Sequence, residues 1–227
     1  MGFFITLEGP EGSGKSTQAR LLAEYLISEC GEDVVVTREP GGTEIGNQVR
    51  EILHSHQNVA MTAEAELLLY NAARAQIVAE VIRPALAANR IVLSDRYADS
   101  TLAYQGYGRG LDLQAVRQMI GLATGGLRPD LTFLIDVGVE EGLARRRLGR
   151  QRGEEFNRMD SLSREFYERV RQGYLELMEA EPQRWVRIEG APAVEQVQDE
   201  LRRQVDYALE QFHRTHHLSS TDHPRGQ

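Results

Sequence analysis

The segment Gly9-Pro10-Glu11-Gly12-Ser13-Gly14-Lys15-Ser16-Thr17 follows a short β-prone run, Phe3 to Leu7, and opens a stretch of helical periodicity. It satisfies G-x-x-x-x-G-K-[ST] in the strand-to-helix setting that gives this pattern its meaning. Glycines let the backbone curl until successive N–H groups point inward, and the following helix adds its positive end, so a phosphate-sized anion fills the hollow. Lys15 would reach the β- and γ-phosphates as a point charge, and Ser16 would place its hydroxyl on Mg²⁺, a hard ion that prefers oxygen ligands. Lys15 is also the only lysine among the 26 basic residues. Ammonium and guanidinium differ in hydration, reach and donor geometry, so this lone lysine marks a place where arginine does not fit.

Beyond this loop, short apolar runs alternate with longer helical stretches, the pattern of an α/β fold with a parallel sheet covered by helices on both faces. Strands are expected at Phe3 to Leu7, Val34 to Thr37, Ile91 to Ser94, Leu131 to Asp136 and Trp185 to Ile188. Their near-continuous apolar character implies burial on both sides. Helices are expected at Lys15 to Cys30, Thr43 to His54, Ala63 to Ala88, Asp112 to Ala123, Glu140 to Arg147, Ser161 to Ala180 and Ala193 to Phe212. With no repeat and no Pro/Gly/Ser-rich linker, residues 1–212 read as one domain. Residues 213–227 read as a frayed polar tail, in which His213, His216, His217 and His223 are solvated rather than metal-bound.

Several function classes are disfavoured. A formal charge of −8 offers no global positive field for a nucleic-acid backbone. The single cysteine, Cys30, forms neither an internal disulfide nor a zinc cluster, and no apolar run approaches the roughly 20 residues of a membrane helix. The first residues lack the basic start of a signal peptide, so a cytoplasmic protein is expected. A guanine-specific switch needs an Asn-Lys-x-Asp-type segment, for which no second lysine exists. The P-loop fold still leaves motors, ATP-dependent switches and kinases open.

The third strand ends in Ser94-Asp95-Arg96-Tyr97, at the sheet edge where ligands bind in doubly wound folds. Asp95 could hold a water on Mg²⁺ and Arg96 could grip a phosphate bidentately; the same dipeptide could equally be a buried pair that only pins the loop. The second strand ends in Thr37-Arg38-Glu39-Pro40-Gly41-Gly42-Thr43, a turn able to bring backbone close to a ligand, or merely a turn. Tyr70 and Arg74 lie four apart on one helical face, as do Thr101, Tyr104 and Gln105 if their segment is helical. Taken singly, such aromatic faces usually pack into a core.

Together, Glu8 to Ser16, Thr37 to Thr43, Ala72-Ala73-Arg74, Asp95-Arg96-Tyr97 and Ala103-Tyr104-Gln105-Gly106 stand in the order and spacing of bacterial thymidylate kinases, and the resemblance spans about residues 3–210. It implies transfer of the γ-phosphoryl of ATP to dTMP, giving dTDP, by a homodimer using Mg²⁺. By the same resemblance, Glu11 binds the 3′-hydroxyl of dTMP, and Tyr70 and Arg74 take the thymine. Thr101, Tyr104 and Gln105 line the base edge and crowd out a ribose 2′-hydroxyl, and Arg38, Pro40, Arg50 and Arg96 surround the acceptor phosphate.

Between Arg145 and Arg152 lie Arg145, Arg146, Arg147, Arg150 and Arg152, followed by Glu154, Glu155 and Arg158. A solvated charged helix is the default for such a run. The resemblance makes residues 145–158 a lid over ATP. Family members with glycine at the position of Gly12 carry the catalytic arginine in the lid, which points to Arg150 and Arg152, with Arg158 next.

Overall fold

The computed structural model describes residues 2–153 and 157–220. Five strands, β1 (Phe3–Glu8), β2 (Val34–Arg38), β3 (Ile91–Asp95), β4 (Leu131–Asp136) and β5 (Trp185–Glu189), lie where the apolar runs place them. All pair in parallel, in the order β2-β3-β1-β4-β5. The chain first winds to one side of β1 and then to the other. This reversal opens a crevice beyond the carboxyl ends of the central strands.

The connecting helices are α1 (Lys15–Ser28), α2 (Glu44–His54), α3 (Ala63–Ile77), α4 (Arg83–Ala87), α5 (Ala98–Thr101), α6 (Leu113–Thr124), α7 (Val139–Gln151), α8 (Arg164–Ala180) and α9 (Val194–Ser220). Alternation along β1 sends Phe3, Ile5 and Leu7 to one face, where Leu22 and Leu26 of α1 and Leu201 and Val205 of α9 complete the core. On the other face Phe4 joins Ile77, Val92 and Tyr97, while Leu134 and Trp185 join Val116, Val170 and Tyr174. Glu8 continues the Phe4 face yet is a fully buried carboxylate. A charge there needs partners, and they lie in the crevice.

Two helical expectations are corrected, and a segment left conditional is helical. The span Ala63 to Ala88 is interrupted by a π-helical turn, Val78–Ile82, just ahead of Pro84, whose missing N–H breaks the regular ladder. The segment Ala98 to Gly108 is helical, with Leu102–Gly108 in π geometry. Its helical character leaves no amphipathic pattern in the sequence, because none of those residues is exposed. The expected tail continues α9 as far as Ser220: Phe212 stacks on Phe3, and no helix breaker intervenes before Pro224. Residues 221–227, including His223, and residues 154–156 lie outside the described residues.

Candidate active site

A cavity of about 800 Å³ opens at the crevice. Its floor is the phosphate loop. Gly14, at φ 91°, turns the chain into α1, and Gly9 and Gly12 also take positive φ. Glu11, Gly12, Gly14, Lys15, Ser16 and Thr17 line the cavity, whereas Gly9, Pro10 and Ser13 are buried behind it. The Lys15 ammonium donates to Pro10 O at 2.7 Å and to Ser13 Oγ at 3.1 Å. Burial and the nearby Arg96 lower its pKa to about 8 against the upward pull of Glu11, Asp95 and Glu8. The Ser16 hydroxyl donates to Asp95 Oδ2 at 2.5 Å, joining the start of α1 to the end of β3.

Gly12 has a further reason to be glycine. A Cβ there would sit 2.1 Å from the carbonyl oxygen of Gly142, and a Cβ on Gly142 would sit 2.4 Å from Glu11 O. The first turn of α7 thus rests directly on the phosphate loop, leaving no room for a side chain at position 12.

Arg96 stands in the middle of the cavity wall, with φ at +72°. Nη2 donates to Glu11 Oε1 at 2.8 Å and Tyr104 OH at 3.1 Å; Nη1 donates to Gly9 O, Ser100 Oγ and Tyr174 OH at 3.0–3.1 Å. The Glu11 carboxylate thus turns toward Arg96 rather than into the phosphate cradle. Burial works to raise its pKa, but Arg96, Lys15 and Arg146 outweigh it and hold the carboxyl at about 2. Glu8, behind Arg96, is pushed up to about 7 by burial and by Asp99, against the opposing Arg96.

One end of the cavity carries Tyr70, Arg74, Thr101, Tyr104 and Gln105, with Arg38, Pro40, Arg50 and His54 beside them. Arg50 donates to Pro40 O at 3.2 Å. Arg74 is not the open fork the sequence suggests. It is 1% exposed, and it donates from Nε to Glu39 Oε2 at 2.9 Å and from Nη2 to Tyr97 O at 3.1 Å, so the cavity meets a side chain already fixed in place. Thr101 Oγ1 and Glu39 Oε1 are buried at this wall with no hydrogen-bond partner.

The lid residues sort differently from expectation. The helix expected to stop at Arg147 runs on to Gln151, and the spacing of its cavity-lining residues, Arg145, Arg146, Gly149 and Arg152, defines one face. Arg150 is exposed and falls off that face; Arg152 remains on it. Arg158 is buried, donating to Leu53 O at 3.1 Å and to Glu66 at 2.5 Å, so it ties the lid root to α2 and α3 rather than facing a ligand. The sequence places Arg145 and Arg146 in the lid without singling them out, yet both line the cavity. Arg145 donates to Gly190 O and Ala191 O, and Arg146 grips Asp160 with Nε and Nη2. The loop Pro192 to Val194, which the sequence did not single out, also lines the cavity. Only its proximity in the fold marks it.

A phosphate loop under an arginine-bearing helix, in one cavity that runs on past Arg96 to a wall of side chains on α3, defines the class as a P-loop nucleotide kinase. A family model for thymidylate kinase matches residues 7–201. The thymidylate kinase of Roseiflexus sp. (strain RS-1) is 51% identical over 209 residues, covering 88% of this chain and 92% of that one. That of Geotalea uraniireducens (strain Rf4) is 52% identical over 200 residues, covering 87% and 93%. A crystal structure of thymidylate kinase from Ehrlichia chaffeensis superposes with a TM-score of 0.72 at 36% identity, over 90% of this chain and 98% of the other. The chain belongs to the thymidylate kinase family.

Glu66, fully buried on α3, accepts from Gln105, Arg109 and Arg158. Burial alone would raise its pKa, but these hydrogen bonds lower it below 4.5. Its contribution to stability is therefore complete above about pH 4.5 and is lost as the pH falls through the lower folded-state value. Glu66→Gln is expected to destabilise the fold by about 3–5 kcal/mol at neutral pH. In urea titrations the gap from the unsubstituted protein should narrow below pH 4.5; a gap that stays constant or widens on acidification would contradict the assignment.

Proposed function

We propose that the protein transfers the γ-phosphoryl group of ATP to dTMP, giving dTDP. The observation that carries this reading is the continuity of one cavity from the phosphate loop, past Arg96, to the wall of Tyr70, Arg74 and Gln105. Two anionic nucleotides can meet there end to end. ATP lies with its phosphates on Gly9 to Thr17 and its base toward the Pro192 to Val194 loop. The pyrimidine of dTMP stacks on Tyr70 beside Arg74, its deoxyribose meets Glu11 and Tyr104, and its phosphate is drawn to Arg96, Arg38 and Arg50.

Phosphoryl transfer leaves little covalent work for the protein, so positioning and positive charge carry the rate. Lys15 neutralises the donor phosphates. Arg96 aligns the acceptor oxygen and screens the repulsion between the two anions. Of the lid arginines, Arg152 and the newly placed Arg145 and Arg146 are the candidates for the transferring group, because they share the cavity face of α7. The Ser16 hydroxyl and Asp95 carboxylate form a hard oxygen pair beside the phosphates. Among the described residues there is no cluster of three His, Cys, Asp or Glu side chains that could cage a metal. This donor set fits Mg²⁺, which keeps several waters and completes its shell with substrate phosphate. When bound, Mg²⁺ neutralises charge on the β- and γ-phosphates.

Homodimerisation and a cytoplasmic location belong to the same reading. Exposed Ile45 and Ile52 on α2, Leu68 on α3 and Leu122 on α6 lie on adjoining helices and supply apolar surface for a second copy. Cys30, exposed and free, suits a reducing compartment. Among the described residues no helix is long and apolar enough to cross a membrane.

In a coupled ADP-release assay with dTMP, dUMP, dCMP, dGMP, AMP and thymidine as acceptors, dTMP is expected to give the highest kcat/KM. Turnover with dTMP no greater than with AMP would defeat the reading, and acceptor-independent ATP hydrolysis would favour an ATP-driven switch instead. Arg74→Ala should raise KM for dTMP and also lower stability by about 3–5 kcal/mol, since Glu39 is left as an unpaired buried charge; unchanged KM in the folded variant counts against the thymine contact. Light scattering should give twice the chain mass, reduced to one by Leu68→Glu.

A further inference from the structure

The machinery described so far uses Arg96 but does not explain what aims it. A free arginine side chain has many rotamers, and this one hangs from a residue at φ +72°, a backbone state that non-glycine residues rarely adopt. Something must hold both the backbone and the guanidinium.

The geometry points to Glu8 as a positioning residue for phosphoryl transfer, orienting Arg96 through the hydroxyls of Ser100 and Tyr174. Glu8 ends β1 and is fully buried, one residue before the phosphate loop. Its Oε1 accepts from the backbone N–H of Tyr97 at 2.8 Å, fixing the peptide that follows Arg96. Its Oε2 accepts from Ser100 Oγ at 2.5 Å and from Tyr174 OH at 3.0 Å. The same two hydroxyls accept from Arg96 Nη1, at 3.0 and 3.1 Å.

The polarity of this chain is what matters. A hydroxyl has one hydrogen, and a carboxylate only accepts. Ser100 Oγ and Tyr174 OH also lie 2.8 Å apart, so ionised Glu8 draws one hydroxyl hydrogen directly and the other directly or through that pair, and lone pairs of the hydroxyls are left facing the guanidinium. Arg96, able only to donate, finds two acceptors set in place before substrate arrives. Because Gly9 O also accepts from Nη1 and Glu11 from Nη2, the arginine is registered against the phosphate loop itself. The separation of donor and acceptor phosphates is thereby fixed by β1, α5 and α8 together.

This inference rests on the assignment of Arg96 to the acceptor phosphate, and its test separates the two. Glu8→Gln preserves shape but reverses polarity. The amide oxygen is needed by Tyr97 N–H, so the NH₂ group faces Ser100 and Tyr174, whose hydrogens then turn toward Arg96. In the folded variant kcat with dTMP should fall about 10²-fold, the loss expected for misplacement of a reacting group by about 1 Å. KM for ATP should stay within about two-fold, since the phosphate loop is untouched. Tyr174→Phe and Ser100→Ala should each lower kcat, and Glu8→Gln added to the Ser100→Ala/Tyr174→Phe pair should cost far less than it does alone, as residues acting through one path are non-additive. If Glu8→Gln does not fold, the two hydroxyl variants carry the test, and unaltered kcat in both overturns the inference. Normal kcat in folded Glu8→Gln, or effects that simply multiply, overturns it as well. Absence of dTMP turnover by the unsubstituted protein overturns this inference and the proposed function together; normal turnover there with unimpaired Glu8→Gln removes this inference alone.

Discussion

A guanidinium on a left-handed backbone, Arg96, ties the phosphate loop to α5 and α8, reaching Gly9 O and Glu11 on one side and Ser100, Tyr104 and Tyr174 on the other. The site depends on this convergence because its task is to bring two anions together. A buried cation offsets their repulsion only if it does not itself relax away, and a flexible arginine in water would do so. Here Glu11 at the cavity wall supplies counter-charge, and buried Glu8 supplies, through Ser100 and Tyr174, the hydrogen-bond polarity that keeps the cation in one place. The strand that delivers Glu8 also delivers the phosphate loop, so the aim of the acceptor side is set by the geometry of the donor side.

Close backbone packing does comparable work at the lid. Gly12 and Gly142 have no side chains to separate the loop from α7, and the contact is tight enough that a methyl at either position would collide with a carbonyl oxygen. A glycine at position 12 and arginines on α7 are two aspects of one arrangement. The loop forgoes a side chain so that the helix can approach, and the helix brings the positive charge. The buried hub at Glu66 then fastens the root of the lid, through Arg158, to the helix that carries Tyr70 and Arg74.

Much of this was legible in the chain. The glycine pattern before an ammonium, the five apolar runs and the Asp95-Arg96 pair at a strand end each express a local rule, and each landed as expected on the sheet edge. The i, i+4 spacing of Tyr70 and Arg74 correctly put both on one wall. The failures have physical causes. Arg150, which the family resemblance singles out with Arg152, lies off the cavity face, because which arginines face a cavity depends on phase along the helix. Arg158, the next lid candidate on sequence grounds, is instead a buried tie, because its partners, Leu53 and Glu66, are about a hundred residues away and invisible to local reading. The helix from Ala98 to Gly108 gave no periodic signal because it is buried on nearly all sides.

The sequence alone determined the strands, their alternation with helices and the chemistry of the loop, since strand burial and the curl of a glycine-rich turn are set by residues within a few positions of one another. The tertiary structure alone decided which charges meet. Glu8, Ser100 and Tyr174 converge on Arg96, and Glu39 closes on Arg74, only once the parallel sheet has brought distant strand ends and helices side by side. Electrostatic pairing in a buried site depends on ångström separations and on what water has been excluded, and neither quantity is written in the order of residues along the chain.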